Sequence, residues 1–402
     1  MNEQQTLSRK ANLPLLLFHG LGTILGAGIY VLVGKIAATS GTLAPLAFLV
    51  AAIIAGITTL SYCQLVVMFP KCSGETHYVD AAFQQPFLTR VIGLLVIFTG
   101  IVSCATLANG FVGYLQSFYP IESWIAICIV VIGMSTIAFY GIAESLWAAT
   151  IVTLIEISGL ALVVFYGGSQ VELTTTSLNE LFVPTSTHDF GLILAGAFLA
   201  FYAFIGFEDM VNIVEEVKEP ERTMPRAIIL ALLISSVIYI AIAVVAILAM
   251  PMAELADSEA PLRALLERYD TNLGKWISVI SLFAIINGVL TQIIMASRVL
   301  YGMANQQRVP QVFGLISEKT KTPWFATLAV TGVVLMFALA LPLVTLASYR
   351  SFIVLCVFTL VNASLVVLRR KKMTEDFTLK TPAFPLLGTI ICVVLLIFKI
   401  AY

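Results

Sequence analysis

The sequence predicts an all-α polytopic membrane protein, and three observations carry that prediction. Of its 402 residues, 59% are hydrophobic and only 11% are charged, where a soluble domain carries about 25% charged residues. Apolar runs of about 18 residues or more recur along the whole chain, each long enough to cross a hydrocarbon core of about 30 Å as a helix. The stretch 201–226, FYAFIGFEDMVNIVEEVKEPERTMPR, sets Gly206 beside Glu208 and Asp209 where hydrocarbon depth is expected. A carboxylate near the bilayer centre costs roughly 3 kcal/mol unless it faces a cavity or a partner. Unwound backbone at that depth survives only where it lines a cavity. Residues 204–209 therefore read as the break in a discontinuous helix; the alternative is a glycine kink with a carboxylate near a helix end.

Taken in order, spans are expected near 13–38, 43–68, 88–118, 123–140, 147–167, 190–216, 226–250, 273–304, 324–341, 343–368 and 383–401, which makes eleven crossings. The preceding residues 1–12 lack a small-residue cleavage site, and the apolar run after them outlasts a signal peptide's core, so they are expected to stay attached. Residues 13–167 form a first set of five helices, 168–189 a loop, 190–368 a second set of five, and 369–402 a basic loop and the eleventh helix. Arg9, Lys10, Lys71, Arg90, Lys218, Arg222, Arg308, Lys319, Lys321, the run from Arg369 to Lys372, and Lys380 fall in loops on one side, whereas 168–189 carries no Lys or Arg. The positive-inside rule makes the N-terminus cytoplasmic and the 168–189 loop extracellular in a multi-pass protein of the plasma membrane, with the C-terminus outside after an odd number of spans. Two connections have helical character. Residues 70–86 read as a short mixed helix along the cytoplasmic face. Residues 252–270, with Leu262, Leu265 and Leu266 on one side, read as an external helix roofing a vestibule or as a solvated loop helix.

Several chemistries are excluded or left without support. The net charge of −1 says nothing about partners, because charges are sorted by loop. The six cysteines are scattered and imply neither disulfide nor metal site. His19, His77 and His188 lie in different places without metal-ligand spacing, which argues against an intramembrane metalloenzyme. No phosphate-cradling loop of the GxxxxGK[ST] kind is present, so nucleotide-driven pumping is not expected. Neither a cofactor nor a nucleic acid partner is expected, and no enzymatic activity.

Span one holds a second interruption, GLGTILGAGIYVLVG at 20–34. Glycines let backbone approach a ligand, and a helix restarting after an unwound turn offers free N–H groups to an anion. A small-xxx-small packing pattern is the competing explanation for Gly22 and Gly26. Spans one and six are, however, the first members of two consecutive sets of five, and paired broken helices in corresponding positions point to a transporter site at an inverted-repeat interface. N–H groups on one wall, with carbonyls and the Glu208 carboxylate on the other, match a free α-amino acid.

The motifs GAGIY in span one, FIGFED followed by EEVKEPERTMPRAI in span six, ASRVLYGMANQQRVP ending span eight and VNASLVVLRRKK ending span ten resemble the amino acid permeases of the amino acid–polyamine–organocation (APC) superfamily. The resemblance covers nearly the whole chain. It implies a five-plus-five inverted repeat with broken helices 1 and 6, alternating access, and an amino acid held between the breaks. By that pattern Thr23, Gly26, Ala27 and Gly28 contact the carboxylate, the backbone near Tyr202, Ala203 and Ile205 receives the amine, and Tyr202 or Phe207 closes over the substrate. Partners implied are the amino acid, protons, the lipid bilayer and, in a homodimer, a second copy. Two departures stand out: family members commonly have a twelfth span, and the span-five position where some relatives carry lysine is Glu156 here.

Glu156, among apolar neighbours, is the expected proton-coupling group; the resemblance implies a place beside the cavity between spans one, five and eight, and Glu208 is its rival. Arg298 reads either as a snorkelling residue or as an inner-gate partner of Glu215 or Glu216, and Arg350 as an interfacial anchor. Asn287 and Gln292 line the pocket or bond across helices. Span eight lacks an adjacent Ser/Thr pair, so proton coupling or exchange is expected ahead of sodium coupling. The leading expectation is a secondary active amino acid transporter; the alternatives are a membrane sensor that binds an amino acid without moving it and an amino acid/polyamine antiporter.

Overall fold

Order begins at a helix cap: the Asn12 side chain accepts the Leu15 N–H at 3.2 Å, and Pro14 starts the first turn, where its missing N–H costs nothing. The computed structural model describes residues 11–26, 28–70, 74–140, 146–169, 171, 174–371 and 383–401. Its helices are α1 (Leu13–Leu25), α2 (Gly28–Ser40), α3 (Ala44–Met68), α4 (Gly74–Phe83), α5 (Pro86–Gln116), α6 (Ser123–Tyr140), α7 (Leu146–Gly168) and α8 (Thr175–Phe182). The second half continues with α9 (Thr187–Phe204), α10 (Pro220–Ala249), α11 (Met252–Asp257), α12 (Pro261–Glu267), α13 (Thr271–Asn305), α14 (Trp324–Ala340), α15 (Leu343–Arg370) and α16 (Ala383–Ala401). Short 3-10 segments cover Gly41–Leu43, Glu208–Glu216 and Gln311–Gly314. Among the described residues the only β pairing is an isolated bridge between Ala11 and Val217. There Ala11 donates to the Glu216 carbonyl at 3.0 Å and Lys218 donates to Ala11 at 2.9 Å, so the start of the chain is docked on the connection between α9 and α10.

Nine stretches of the described residues are long and apolar enough to cross a membrane. The first, Leu13–Met68, runs for 56 residues and is divided by the break after α1 and by the 3-10 turn before α3. The expected span near 324–341 is a 17-residue helix, about 25 Å long at 1.5 Å per residue and so short of a full hydrocarbon core. The outward surface carries Phe165, Val237, Trp276, Phe283 and Ile397, each more than half exposed. Water would penalise such a surface, whereas lipid tails match it.

Both connections expected to be helical are more deeply packed than a surface helix. In α4, Glu75, Tyr78, Val79 and Ala82 are buried, because the helix packs against α5 and α15. Residues 252–270 form two helices, α11 and α12, separated where Pro261 restarts the chain. Leu255, Leu262, Leu265 and Leu266 are all fully buried, and Lys35 of α2 pairs with Glu259 at 3.2 Å. This segment caps the bundle.

Candidate functional site

The two interruptions lie against each other. α1 stops at Leu25, and Gly26 is extended (φ −42°, ψ −176°) with its N–H reaching back to the Gly22 carbonyl at 3.2 Å. α2 restarts at Gly28, and the first turn of a new helix leaves N–H groups without intrahelical partners. Ala27 lies outside the described residues. α9 stops at Phe204, Ile205 is extended, and Gly206 sits at φ +143°, a conformation that side chains other than glycine's rarely adopt. The Gly206 N–H donates to the Glu208 carboxylate at 2.8 Å. A Cβ on Gly206 would collide with the Thr23 carbonyl, and one on Gly28 would sit 3.1 Å from the Ala203 Cα. Only glycine allows the two breaks to approach this closely. Tyr239 of α10 ties them further, donating its hydroxyl to the Ile24 carbonyl while lying 3.1 Å from the Ala203 carbonyl.

Between the breaks opens a cavity with ≈ 660 Å³ of empty space, the solvent at its mouth included. Thr23, Gly26 and Gly28 line it from the first break, and Tyr202, Ala203 and Ile205 from the second. Thr153 of α7, Ser103 of α5, and Asn287 and Gln292 of α13 complete the polar wall. Gln292 both lines the cavity and bonds across helices, donating to Asp209 at 3.5 Å. His19 also lines it, as does Arg350 of α15, whose guanidinium stacks 4.6 Å above the Tyr202 ring. Arg350 is 6% exposed. That corrects its reading as an interfacial anchor: the face of α15 that bears Arg350 also bears buried Leu346, Ala347 and Val354, and so turns into the bundle.

Phe207 and Glu208 do not line this cavity. The extended turn at Ile205 and Gly206 rotates the chain, so that Phe207 packs edge-on against Tyr62 at 5.5 Å and lies 5.3 Å from Phe358. Glu208 faces a second, smaller cavity with Glu75, Asp209, Asn212 and Thr99. Tyr62 donates to Glu75 at 3.2 Å. Burial pushes the Glu75 carboxyl from its ordinary 4.5 up to about 7, and the nearby Asp209 charge pushes the same way, against hydrogen bonds from the backbone and Tyr62. Three carboxyl groups thus share one buried space.

Glu156 is 1% exposed on α7, one turn beyond Thr153 of the cavity wall, and its backbone carbonyl accepts the Tyr30 hydroxyl at 2.9 Å. The Tyr30 carbonyl in turn accepts from Tyr114 at 2.7 Å. Arg298 is exposed on α13 and forms no ion pair among the described residues, so the expected bridge to Glu215 or Glu216 is absent. The buried stripe of Ile293, Ala296, Ser297 and Leu300 leaves Arg298 on the opposite side of the helix. Sequence reasoning missed His19, Ser103 and Tyr239, for which a helix apolar on all sides gave no facing signal. It also discounted Arg350, although a charge within an apolar stretch is the signal that singled out Glu208, and it passed over Glu75, which sits in the polar stretch PKCSGETHYVD.

Comparison with known proteins follows the geometry. The model of a family described as "Amino acid permease" matches residues 14–401. The chain is 25% identical to the Branched-chain amino acid permease BcaP of Bacillus subtilis (strain 168), over 96% of this chain and 86% of that protein. It is 27% identical to the vacuolar Cationic amino acid transporter 2 of Arabidopsis thaliana, over 90% of this chain and 60% of that longer protein. A Methylthioribose transporter of Bacillus subtilis (strain 168) is 25% identical over 97% of this chain and 87% of its own length.

Proposed function

The chain belongs to the amino acid permease family, and on that premise we propose that it is a secondary active transporter of amino acids working by alternating access, driven by proton symport or by exchange. The observation that carries this reading is the pair of helix breaks enclosing one cavity. Substrate carboxylate is held at the first break, in contact with Thr23, Gly26, Ala27 and Gly28, where the restarting α2 has N–H groups without intrahelical partners and favours negative charge. The amine is received by carbonyls around Tyr202, Ala203 and Ile205 at the end of α9, where the helix ladder runs out; the Tyr202 carbonyl also accepts the capping Ile205 N–H, and the Ala203 carbonyl lies 3.1 Å from the Tyr239 hydroxyl. Tyr202 is the lid. Phe207 and Glu208 act from behind the second break rather than on the substrate. Glu156, buried beside the cavity wall, is the proton-coupling group, with Glu208 as the rival. Relatives named for branched-chain and for cationic amino acids support the substrate class.

Proteoliposomes loaded with unlabelled amino acid test the reading. Labelled amino acid should exchange into them, and a substrate should also raise the melting temperature of the purified protein, since ligand at 100 times its Kd stabilises by about 2.7 kcal/mol. Stabilisation without any uptake would instead identify a sensor.

A further inference from the structure

Arg350 and His19 are the only titratable side chains with an ordinary positive form on the wall of the larger cavity, and no Asp or Glu is on it, among the described residues. Arg350 is also the only one of the two that is always charged. Its position is costly without a partner. It is 6% exposed, its Nε lacks a hydrogen bond, and no described carboxylate forms an ion pair with it. Its one contact of note is with the Tyr202 ring, which covers a face of the guanidinium and leaves its edge, where the N–H donors point, unoccupied.

Other groups around it share this unfilled state. The Ser103 hydroxyl and the Tyr202 hydroxyl, both on the cavity wall and both about 1% exposed, have no hydrogen-bond partner. The carboxylates whose charge reaches Arg350 are Glu208 and Asp209, but these are engaged elsewhere. Glu208 accepts the Gly206 N–H and Asp209 accepts from Gln292, and both face the smaller cavity. A buried guanidinium with an unbonded Nε, on one cavity wall with two unpartnered hydroxyls, is a receptor for a planar oxyanion. With the α-carboxylate assigned to the first break, as proposed above, Arg350 is left for a second one.

Resting on the amino acid transport reading, we infer that Arg350 selects substrates carrying a side-chain carboxylate, which makes the substrate class acidic amino acids. A cationic side chain in the same space would meet the guanidinium and be repelled.

Binding of L-glutamate, L-aspartate, L-glutamine, L-asparagine and L-lysine to the purified full chain tests this, because each acid and its amide differ in charge but hardly in shape. The wild type should prefer an acid over its amide by about tenfold or more, the scale of one charge-assisted hydrogen-bond pair, and should not bind lysine. Arg350→Gln should lower the acid-to-amide preference by about tenfold or more, and Arg350→Lys should retain part of it. The ratio is the readout, since a purely structural arginine would weaken acid and amide alike. Should Arg350→Gln fail to fold, the wild-type preference and the Lys variant still decide. Binding of amides or lysine in preference to acids, or an unchanged ratio in the variants, overturns the acidic class and leaves amino acid transport standing; binding of none of the five, with no uptake of any amino acid, overturns both.

Discussion

Glu75 shows how a single residue can be charged in the sequence and neutral in the fold. It lies on α4, outside the membrane-length helices, yet is 4% exposed beside Asp209 and under the Tyr62 hydroxyl. Its folded pKa, about 7, is raised above that of an unfolded glutamate, near 4.3. Such a group stabilises the fold fully below the unfolded value, and that stabilisation is lost as pH rises through the folded one. The protein is therefore expected to lose on the order of 3 kcal/mol from this residue between pH 4.5 and 7. Glu75→Gln, which mimics the neutral form, should melt higher than wild type at pH 8 and close to it at pH 5. Melting curves in detergent across that range check the sign; a difference that does not grow with pH would mean that Glu75 is ionised in the fold.

At the scale of the element, the broken helix is a device of two parts, and neither works alone. Gly206 holds a positive φ and has the Thr23 carbonyl where a Cβ would go, so the second break is shaped by the first. Gly206→Ala should cost about 1–3 kcal/mol in backbone strain, with the collision added, and should lower both the melting temperature and substrate binding. Gly191→Ala in α9, the helix that ends at this break, is the control. A Cβ there meets open space, and alanine favours a helix over glycine by about 1 kcal/mol, so that variant should be neutral or slightly stabilised. Equal melting and binding in both variants would show that the close approach of the breaks is unimportant.

For the whole molecule, the proposed proton coupling turns on how a charge at Glu156 reaches the two breaks. Glu156 on α7 sits where Tyr30 of α2 meets its backbone, and Tyr239 of α10 links the two breaks nearby. A change in charge at Glu156 thus acts on helices from both halves of the chain. Glu156→Gln should abolish accumulation driven by a pH gradient while leaving counterflow largely intact, because exchange needs no net proton movement. Gradient-driven uptake like wild type in this variant, with its loss in Glu208→Gln, would transfer the coupling role to Glu208.

Membrane class and the positions of the two breaks were legible from residues alone. Hydropathy is a property of composition over a window, and a glycine pair, or one glycine beside two carboxylates, marks an interruption of an apolar run locally, so GAGIY and FIGFED needed no tertiary context. Which side chains face the cavity was another matter. A bundle helix buried on one side and lipid-facing on the other is apolar all round, so its sequence has no hydrophobic period from which facing can be read. Hence Arg350 looked like an anchor and proved to lie over the Tyr202 ring, Glu208 looked like a substrate ligand and turned away after Gly206, and Arg298, readable as a snorkelling residue or as a gate, lay on the outer side of α13. Those orientations come from packing between helices distant in the chain, and only the tertiary structure decided them.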